Sequence, residues 1–349
     1  MQLVKSSILL DNGRTVEAFS PVIVSASRST DIPAFYSDWF FHRLKVGYSA
    51  WVNPFNGVKG YVSYAQTRFI VFWSKNPKPL LEHLDELKER DINCYIQYTL
   101  NDYVAEGLEK GVPSLDGRID TFKRLVDKLG KGKVIWRFDP LILTDKISLD
   151  NLLTKIENIG DQLKGYTEKL VFSYADIAVY RKVKSNLEKS GVNYREWTQP
   201  QMLEFAKRLS ELNKRWNYTL ATCGEKIDIE QFGIAHNKCV DDDLMIRFAH
   251  NDRALMEYLG VTIEQSDIFG SVPDNAIPIE GGYAVKHKNN KDKGQRAFCG
   301  CIASKDIGEY NTCPHLCEYC YANTSKDIAL ANYRRIKATD QLSDTITGK

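Results

Sequence analysis

The chain has 349 residues, 43% of them hydrophobic, 26% charged and 11% aromatic; that composition fits one large α/β unit or two middling domains and excludes a disordered or collagen-like chain. Forty-seven Lys and Arg against 45 Asp and Glu leave +2, so no overall polybasic character argues for nucleic acid. The departure from the ordinary is eight cysteines, five of them between Cys299 and Cys320.

The N-terminal apolar run is short and broken by Asp11, unlike a secretory signal. No stretch approaches membrane-spanning length. A cytoplasmic protein with no membrane association is therefore expected. In a reducing compartment, clustered thiols point to metal or redox chemistry rather than disulfides.

Along the first 220 residues, short β-branched or aromatic runs alternate with amphipathic helical patterns. Strands are predicted at 22–25, 69–73, 94–99, 133–137, 169–172 and 218–221. Helices are predicted at 35–45, 80–90, 119–129, 149–163, 177–189 and 201–215, with Thr30 or Asp31 capping the first, Pro33 in its first turn, and Gly130 and Gly191 at helix ends. Nearly continuous apolar strands separated by helices imply a parallel sheet buried on both faces. The fold class expected is α/β, a full or partial (β/α) barrel.

Polar residues follow each predicted strand: Ser25, Ser27, Arg28 and Asp31; Ser74, Lys75 and Asn76; Gln97, Thr99 and Asn101; Arg137 and Asp139; Ser173, Tyr174 and Asp176; Thr222, Cys223 and Glu225. Ligands bind at this end of parallel sheets, although a polar residue there can simply cap the next helix. Beyond Glu225 the alternation fades. The acidic triplet Asp241–Asp243 reads as a solvated turn and receives no role. Helices are expected near 252–259 and 325–336. The basic stretch VKHKNNKDKGQR (285–296) reads as a solvated loop weakly compatible with a phosphate-rich partner. The expected organisation is a barrel core (1–228), a loop-rich insertion packed on it (229–298), and a C-terminal metal-binding segment with its helix (299–349), all one catalytic unit.

The chemistry concentrates in NTCPHLCEYCYAN (311–323), where Cys313, Cys317 and Cys320 form C-x3-C-x2-C with Tyr319 before the last cysteine. Three thiolates can hold three irons of a cubane and leave the fourth open. A closed zinc site wants four ligands, and His315 is too constrained within the loop to be a comfortable fourth. Cys223, Cys239, Cys299 and Cys301 form a second candidate set, for an auxiliary iron–sulfur cluster or a structural zinc. Cys94, inside a strand, reads as core.

The C-x3-C-x2-C spacing with its aromatic resembles the signature of the radical S-adenosylmethionine (SAM) superfamily, and the run Tyr319–Ala322 is similar to its spore photoproduct lyase branch. The segments SASRSTDIPAFYSDWF (25–40), FWSKNP (72–77), WRFDPLIL (136–143) and DIGEYNTCPHLCEYCYAN (306–323) resemble a bacterial family known as a domain of unknown function with radical SAM-like C-terminal cysteines. The resemblance implies a [4Fe-4S] cluster on Cys313, Cys317 and Cys320, SAM on its open iron, an electron donor such as flavodoxin or ferredoxin, and a 5′-deoxyadenosyl radical that takes hydrogen from a nucleobase, nucleic acid or small molecule. Tyr319 would pack near adenine. From barrel position, Arg28, Lys75 and Arg137 would anchor anionic groups, and Asp139, Asp176 and Glu225 would accept from hydroxyls or amines. In typical members the cysteine loop follows the first strand, so its place near the C-terminus here implies a circularly permuted barrel. The competing reading is a non-catalytic zinc-binding barrel acting in partner or nucleic-acid binding. An ordinary hydrolase lacks support, since no compact nucleophile motif, His pair or phosphate loop is present.

Overall fold

The structure is a computed structural model, described here for residues 4–53, 56–265, 272–340 and 342–349. Eight strands build its main sheet: β1 (Ile23–Ala26), β2 (Phe69–Ser74), β3 (Asn93–Thr99), β4 (Val134–Leu141), β5 (Lys169–Tyr174), β6 (Thr219–Thr222), β7 (Ile234–His236) and β8 (Lys305–Asp306). All the pairings are parallel. The spatial order is β8-β1-β2-β3-β4-β5-β6-β7. The strands thus follow chain order except the last, which lies beside the first. A closed barrel requires β7 to pair with β8; they do not, so the sheet is open at that seam. Of the full or partial barrel expected, the full, closed form is the one corrected here. β7 and β8 have three and two residues, too few to carry a ladder across the gap, and loop contacts span it instead: Ile302 N–H donates to the Val240 carbonyl at 3.0 Å.

Among the described residues, ten α-helices accompany the sheet: α1 (Ile32–Phe35), α2 (Ser37–Val46), α3 (Leu84–Glu89), α4 (Leu115–Leu129), α5 (Leu149–Leu163), α6 (Arg181–Lys189), α7 (Gln199–Asn213), α8 (Asp242–Ala249), α9 (Arg253–Leu259) and α10 (Lys326–Ala338). Strand alternation divides the core in two. Val24, Ile70, Phe72, Ile96, Trp136, Leu170 and Phe172 pack with Trp39, Phe40, Ile119, Phe122, Leu152, Ile156 and Phe205 of the helices. Their odd-numbered neighbours Ile23, Phe69, Val71, Tyr95, Ile135 and Val171 pack on the other face with Met245, Ile246, Leu255 and Leu259 of α8 and α9. Two buried faces explain why the strands read as continuous apolar runs. Local signals set the helix starts. Asp31 caps α1, Ser148 and Thr198 form capping boxes on α5 and α7, and Ser325 caps α10.

Three smaller sheets among the described residues escaped the periodicity reading, one of them the two-stranded pairing of Leu143–Thr144 with Tyr194–Arg195. Lys5–Leu9, Thr15–Phe19, Lys59–Ser63 and Tyr48–Val52 form a four-stranded sheet, and Val261–Gln265, Gly282–Lys286 and Ile277–Ile279 form a three-stranded one. The predicted 229–298 segment holds β7, α8, α9 and the three-stranded sheet; residues 266–271 of it lie outside the described ones. No helix among the described residues is long and apolar enough to cross a membrane.

The basic stretch 285–296 is not a free solvated loop. Lys286 Nζ bridges Asp242 and Asp243, together with Lys238, while Lys288 and Lys291 donate to the carbonyls of Tyr258 and Ala297. Asp241 caps α8. The acidic triplet is therefore matched by lysines within the chain.

Candidate functional site

β8 runs directly into the cysteine loop, and its position beside β1 carries that loop to the C-terminal ends of β1, β2 and β3. Two segments grip it. From the β1 end, Thr30 Oγ1 donates to the Glu309 carbonyl at 2.8 Å and Tyr36 Oη donates to the Thr312 carbonyl at 2.5 Å. From the loop after β3, Gly111 N–H donates to the His315 carbonyl at 3.0 Å, and Leu108 accepts from Glu318 N–H at 2.9 Å. A Cβ on Gly111 would stand 2.7–2.9 Å from the backbone of Pro314 and His315, so this close approach needs glycine.

His315 spends both ring nitrogens on this anchoring: Nε2 meets Asp31 Oδ2 at 2.8 Å and Nδ1 meets the Gly111 carbonyl at 3.1 Å. It is not a free fourth ligand. Asp31 also accepts from Ser74 Oγ at 2.6 Å and Lys75 N–H at 2.7 Å, so one carboxylate ties the β1 and β2 ends to the loop.

Behind the loop lies a buried polar network. Lys75 Nζ donates to Glu109 Oε1 at 2.7 Å and to Tyr319 Oη at 2.8 Å. Asn101 donates to Tyr319 Oη at 3.1 Å, and Tyr319 donates to Glu109. Burial alone would lower the Lys75 pKa, but Glu109, together with the neighbouring Cys317, holds the ammonium above its ordinary value. Burial would likewise raise Glu109, and Lys75 with Arg118 outweighs it in the opposite direction. Lys75 is therefore neutralised inside the protein, and Tyr319 is a buried strut whose hydroxyl is fully engaged.

The three loop thiols are free. Burial raises all three; backbone N–H groups of Ala322 and Asn323 oppose it at Cys320, and the His315 N–H opposes it at Cys313. The three sense one another electrostatically. Among the described residues, only Asp241, Asp242 and Asp243 bring three metal-ligating side chains mutually within 4.8 Å. At least one pair of the three loop sulfurs therefore stands more than 4.8 Å apart, and the same holds within any three of Cys223, Cys239, Cys299 and Cys301.

A second constellation lies on the sheet face covered by α8 and α9. Cys223 follows β6, Cys239 follows β7, and Cys299 and Cys301 precede β8. Cys223 and Cys239 sulfurs approach to 3.3 Å. Cys301 Sγ accepts from the N–H groups of Cys239 and Val240 at 3.2 and 3.4 Å, and its side chain adjoins both Cys239 and Cys299. Arg137 Nη1 donates to Cys239 Sγ at 3.1 Å and to Gln97 Oε1 at 3.2 Å, and its other nitrogen pairs with Asp139. Hydrogen bonds from Cys223 and Cys301, with Arg137, pull the Cys239 thiol well below its ordinary range. Arg28 and Arg137 both stack on Trp73, each 5.3 Å from its centroid.

The predicted site residues thus separate into two groups. Lys75 and Tyr319 join the cysteine loop. Arg28, Arg137, Asp139 and Glu225 join the second thiol set; Ser173 donates to Asp139, and Glu225, pushed up to about 7 by burial, accepts from Tyr174 N–H at 2.9 Å. Asp176 is exposed and only adds negative potential near Glu225. Three residues lacked a signal in the sequence. Glu109 sits in an aperiodic loop, Trp73 reads as an ordinary strand aromatic, and Arg296, which packs over Gly224 beside Cys223 and Cys299, sits in what reads as a solvated basic run. Cys94 is core, its thiol pushed up to about 12 by burial. A cavity of about 580 Å³ lies elsewhere, between Arg14, Arg43, Tyr61 and Asp344, and none of the predicted site residues lines it.

Residues 23–322 match the family described as a domain of unknown function, DUF1848. The chain belongs to that family. The matched region begins at β1 and ends just past the cysteine loop, so it takes in the main sheet and both thiol sets. Comparison with curated proteins and with solved structures returns no match.

Proposed function

We propose that this DUF1848 chain is a radical SAM-type enzyme. Cys313, Cys317 and Cys320 would hold a [4Fe-4S] cluster with one iron left for SAM, on an open, circularly permuted form of the radical SAM barrel. The observation that carries the reading is the position of β8. The last strand in the chain takes the edge next to β1, the place of a first strand, and the cysteine loop follows it, as the loop follows the first strand in radical SAM enzymes. The donor set fits the group: three free thiols with backbone N–H groups aimed at two of the sulfurs, which is how a protein stabilises ligating thiolates.

When bound, such a cluster supplies the electron that cleaves SAM reductively and so begins hydrogen abstraction from substrate. The chain's own residues do the positioning. Asp31 and His315 fix the loop to the sheet. Lys75, Glu109 and Asn101 lock Tyr319 behind it. Arg28 and Arg296, which make no ion pair among the described residues, offer cationic groups at the same end of the sheet for an anionic substrate or SAM carboxylate. A nucleobase, nucleic acid or small molecule is the substrate class this arrangement admits, and a flavodoxin- or ferredoxin-like donor would supply the electron.

The test is anaerobic reconstitution with iron and sulfide, followed by a dithionite-driven assay for 5′-deoxyadenosine from SAM. The wild-type chain is expected to gain sulfide-containing iron and form the product. Cys313→Ala/Cys317→Ala/Cys320→Ala is expected to lose both. Unchanged 5′-deoxyadenosine in that variant, or a wild-type chain that takes up no iron, would overturn the proposal.

A further inference from the structure

Two thiols outside the cysteine loop form a pair of their own. Cys223 follows β6 and Cys239 follows β7. These strands are neighbours in the sheet, and just before the two cysteines Asn237 N–H donates to the Thr222 carbonyl at 2.8 Å. Adjacent strands lie about 4.8 Å apart, within the span that a disulfide bridges. The two sulfurs stand 3.3 Å apart, and either can donate to the other. An approach of about 1 Å closes the bond.

Polar groups around the pair suit a thiolate. Arg137 Nη1 donates to Cys239 Sγ at 3.1 Å and Asn237 Nδ2 donates to it at 3.2 Å. Arg137 also interacts with Cys223. A neutral core thiol needs no such donors, whereas the thiolate, the form that exchanges with disulfides, is stabilised by them. Access is graded, since Cys239 is buried and Cys223 is half-buried. Cys299 and Cys301 are both buried, and the Cys301 sulfur is held by the N–H groups of Cys239 and Val240.

We infer that Cys223 and Cys239 form a redox-active dithiol, oxidised to an intrachain disulfide by a small-molecule disulfide. The thiolate of Cys223, the more accessible sulfur, attacks one sulfur of the incoming disulfide, releasing the first small thiolate and leaving a mixed disulfide. Cys239 then attacks the Cys223 sulfur and displaces the second. Two electrons leave the protein, one small disulfide becomes two thiols, and these take up the two protons of the protein pair. Closure removes the negative charge that Arg137 faces at Cys239 and leaves its guanidinium to Gln97 and Asp139. The redox state of the pair thus sets the charge at this end of the sheet.

The test uses the full wild-type chain, purified anaerobically and equilibrated against graded ratios of oxidised to reduced glutathione. Remaining thiols are alkylated and the digest is read by peptide mass spectrometry. That readout resolves each cysteine and requires neither the loop cluster nor SAM cleavage, so its failure is distinct from failure of the function proposed above. A loss of about two thiols per chain is expected, with Cys223 and Cys239 in one linked peptide that dithiothreitol separates. Cys239→Ser is expected to stop with glutathione on Cys223; if that variant does not fold, the wild-type peptide map decides alone. No Cys223–Cys239 peptide at the most oxidising ratio, a link from either residue to Cys299 or Cys301 in its place, or a folded Cys239→Ser chain without glutathione on Cys223 would each overturn the inference.

Discussion

Glu109→Gln tests whether the cysteine loop is held by a buried ion pair. Glu109 is fully buried and Lys75 is 16% exposed, with their charged atoms 2.7 Å apart. Removing one partner of such a pair costs about 3–5 kcal/mol, because the other charge stays buried. The glutamine keeps the shape and one oxygen that can accept from Nζ, which recovers about 1 kcal/mol. A loss of about 3 kcal/mol is therefore expected, roughly two powers of ten in the folded-to-unfolded ratio. Urea unfolding followed by circular dichroism should show a lower midpoint at unchanged slope. Lys75→Met/Glu109→Gln should lose less than the two single changes added, since the double variant buries no unpaired charge. The pH dependence follows from the two shifts. Glu109 lies below its ordinary 4.5 in the folded chain, so its contribution is present above that pH and lost as pH falls through the folded value. Lys75 lies above 10.5, so its contribution is present below 10.5 and lost as pH rises through the folded value. The difference between wild type and Glu109→Gln should be flat across the neutral range and shrink in acid. A loss under 1 kcal/mol at neutral pH, or additive single changes, would refute the reasoning.

Gly111→Ala places a Cβ against the backbone of Pro314 and His315 and should cost about 1–3 kcal/mol; it should also reduce iron retained per reconstituted chain, and a variant unchanged in both would show that the loop is not held at this contact. Lys305, on β8, has its amine within 3.8 Å of the Trp51 ring centroid, and burial lowers its pKa to about 8. Between that value and its ordinary 10.5 the unfolded chain binds a proton the folded chain has released, so stability rises with pH there. Melting temperatures from pH 7 to pH 10 should therefore improve for wild type relative to Lys305→Met, and parallel curves would contradict the shift.

Much of the α/β core is legible in the sequence because its signals are local. Six of the eight sheet strands are long enough to show apolar runs, and helix α5 has the predicted bounds because Ser148 and its apolar stripe mark them. The N-terminal strands were missed because they are half-exposed, with weak alternation such as KSSIL. β7 and β8 were missed because two or three residues carry no periodicity. The loop cysteines announced themselves by spacing within eight residues. Glu109, Trp73 and Arg296 did not, since their roles come from neighbours that only the fold brings near, such as Lys75 and Tyr319 for Glu109, or from a strand's register.

The composition, the strand–helix alternation and the C-x3-C-x2-C spacing follow from residues close together in the chain, and these the sequence by itself determined. Three things were decided only in the tertiary structure: the placement of the last strand beside the first, the seam left open between β7 and β8, and the convergence of Cys223, Cys239, Cys299 and Cys301. Each depends on which buried faces meet after the chain has crossed more than 60 residues, and hydrophobic burial has no direction along the sequence. Seven of the eight cysteines fall into two separate groups only when the sheet brings their segments together, and Cys94 stays in the core.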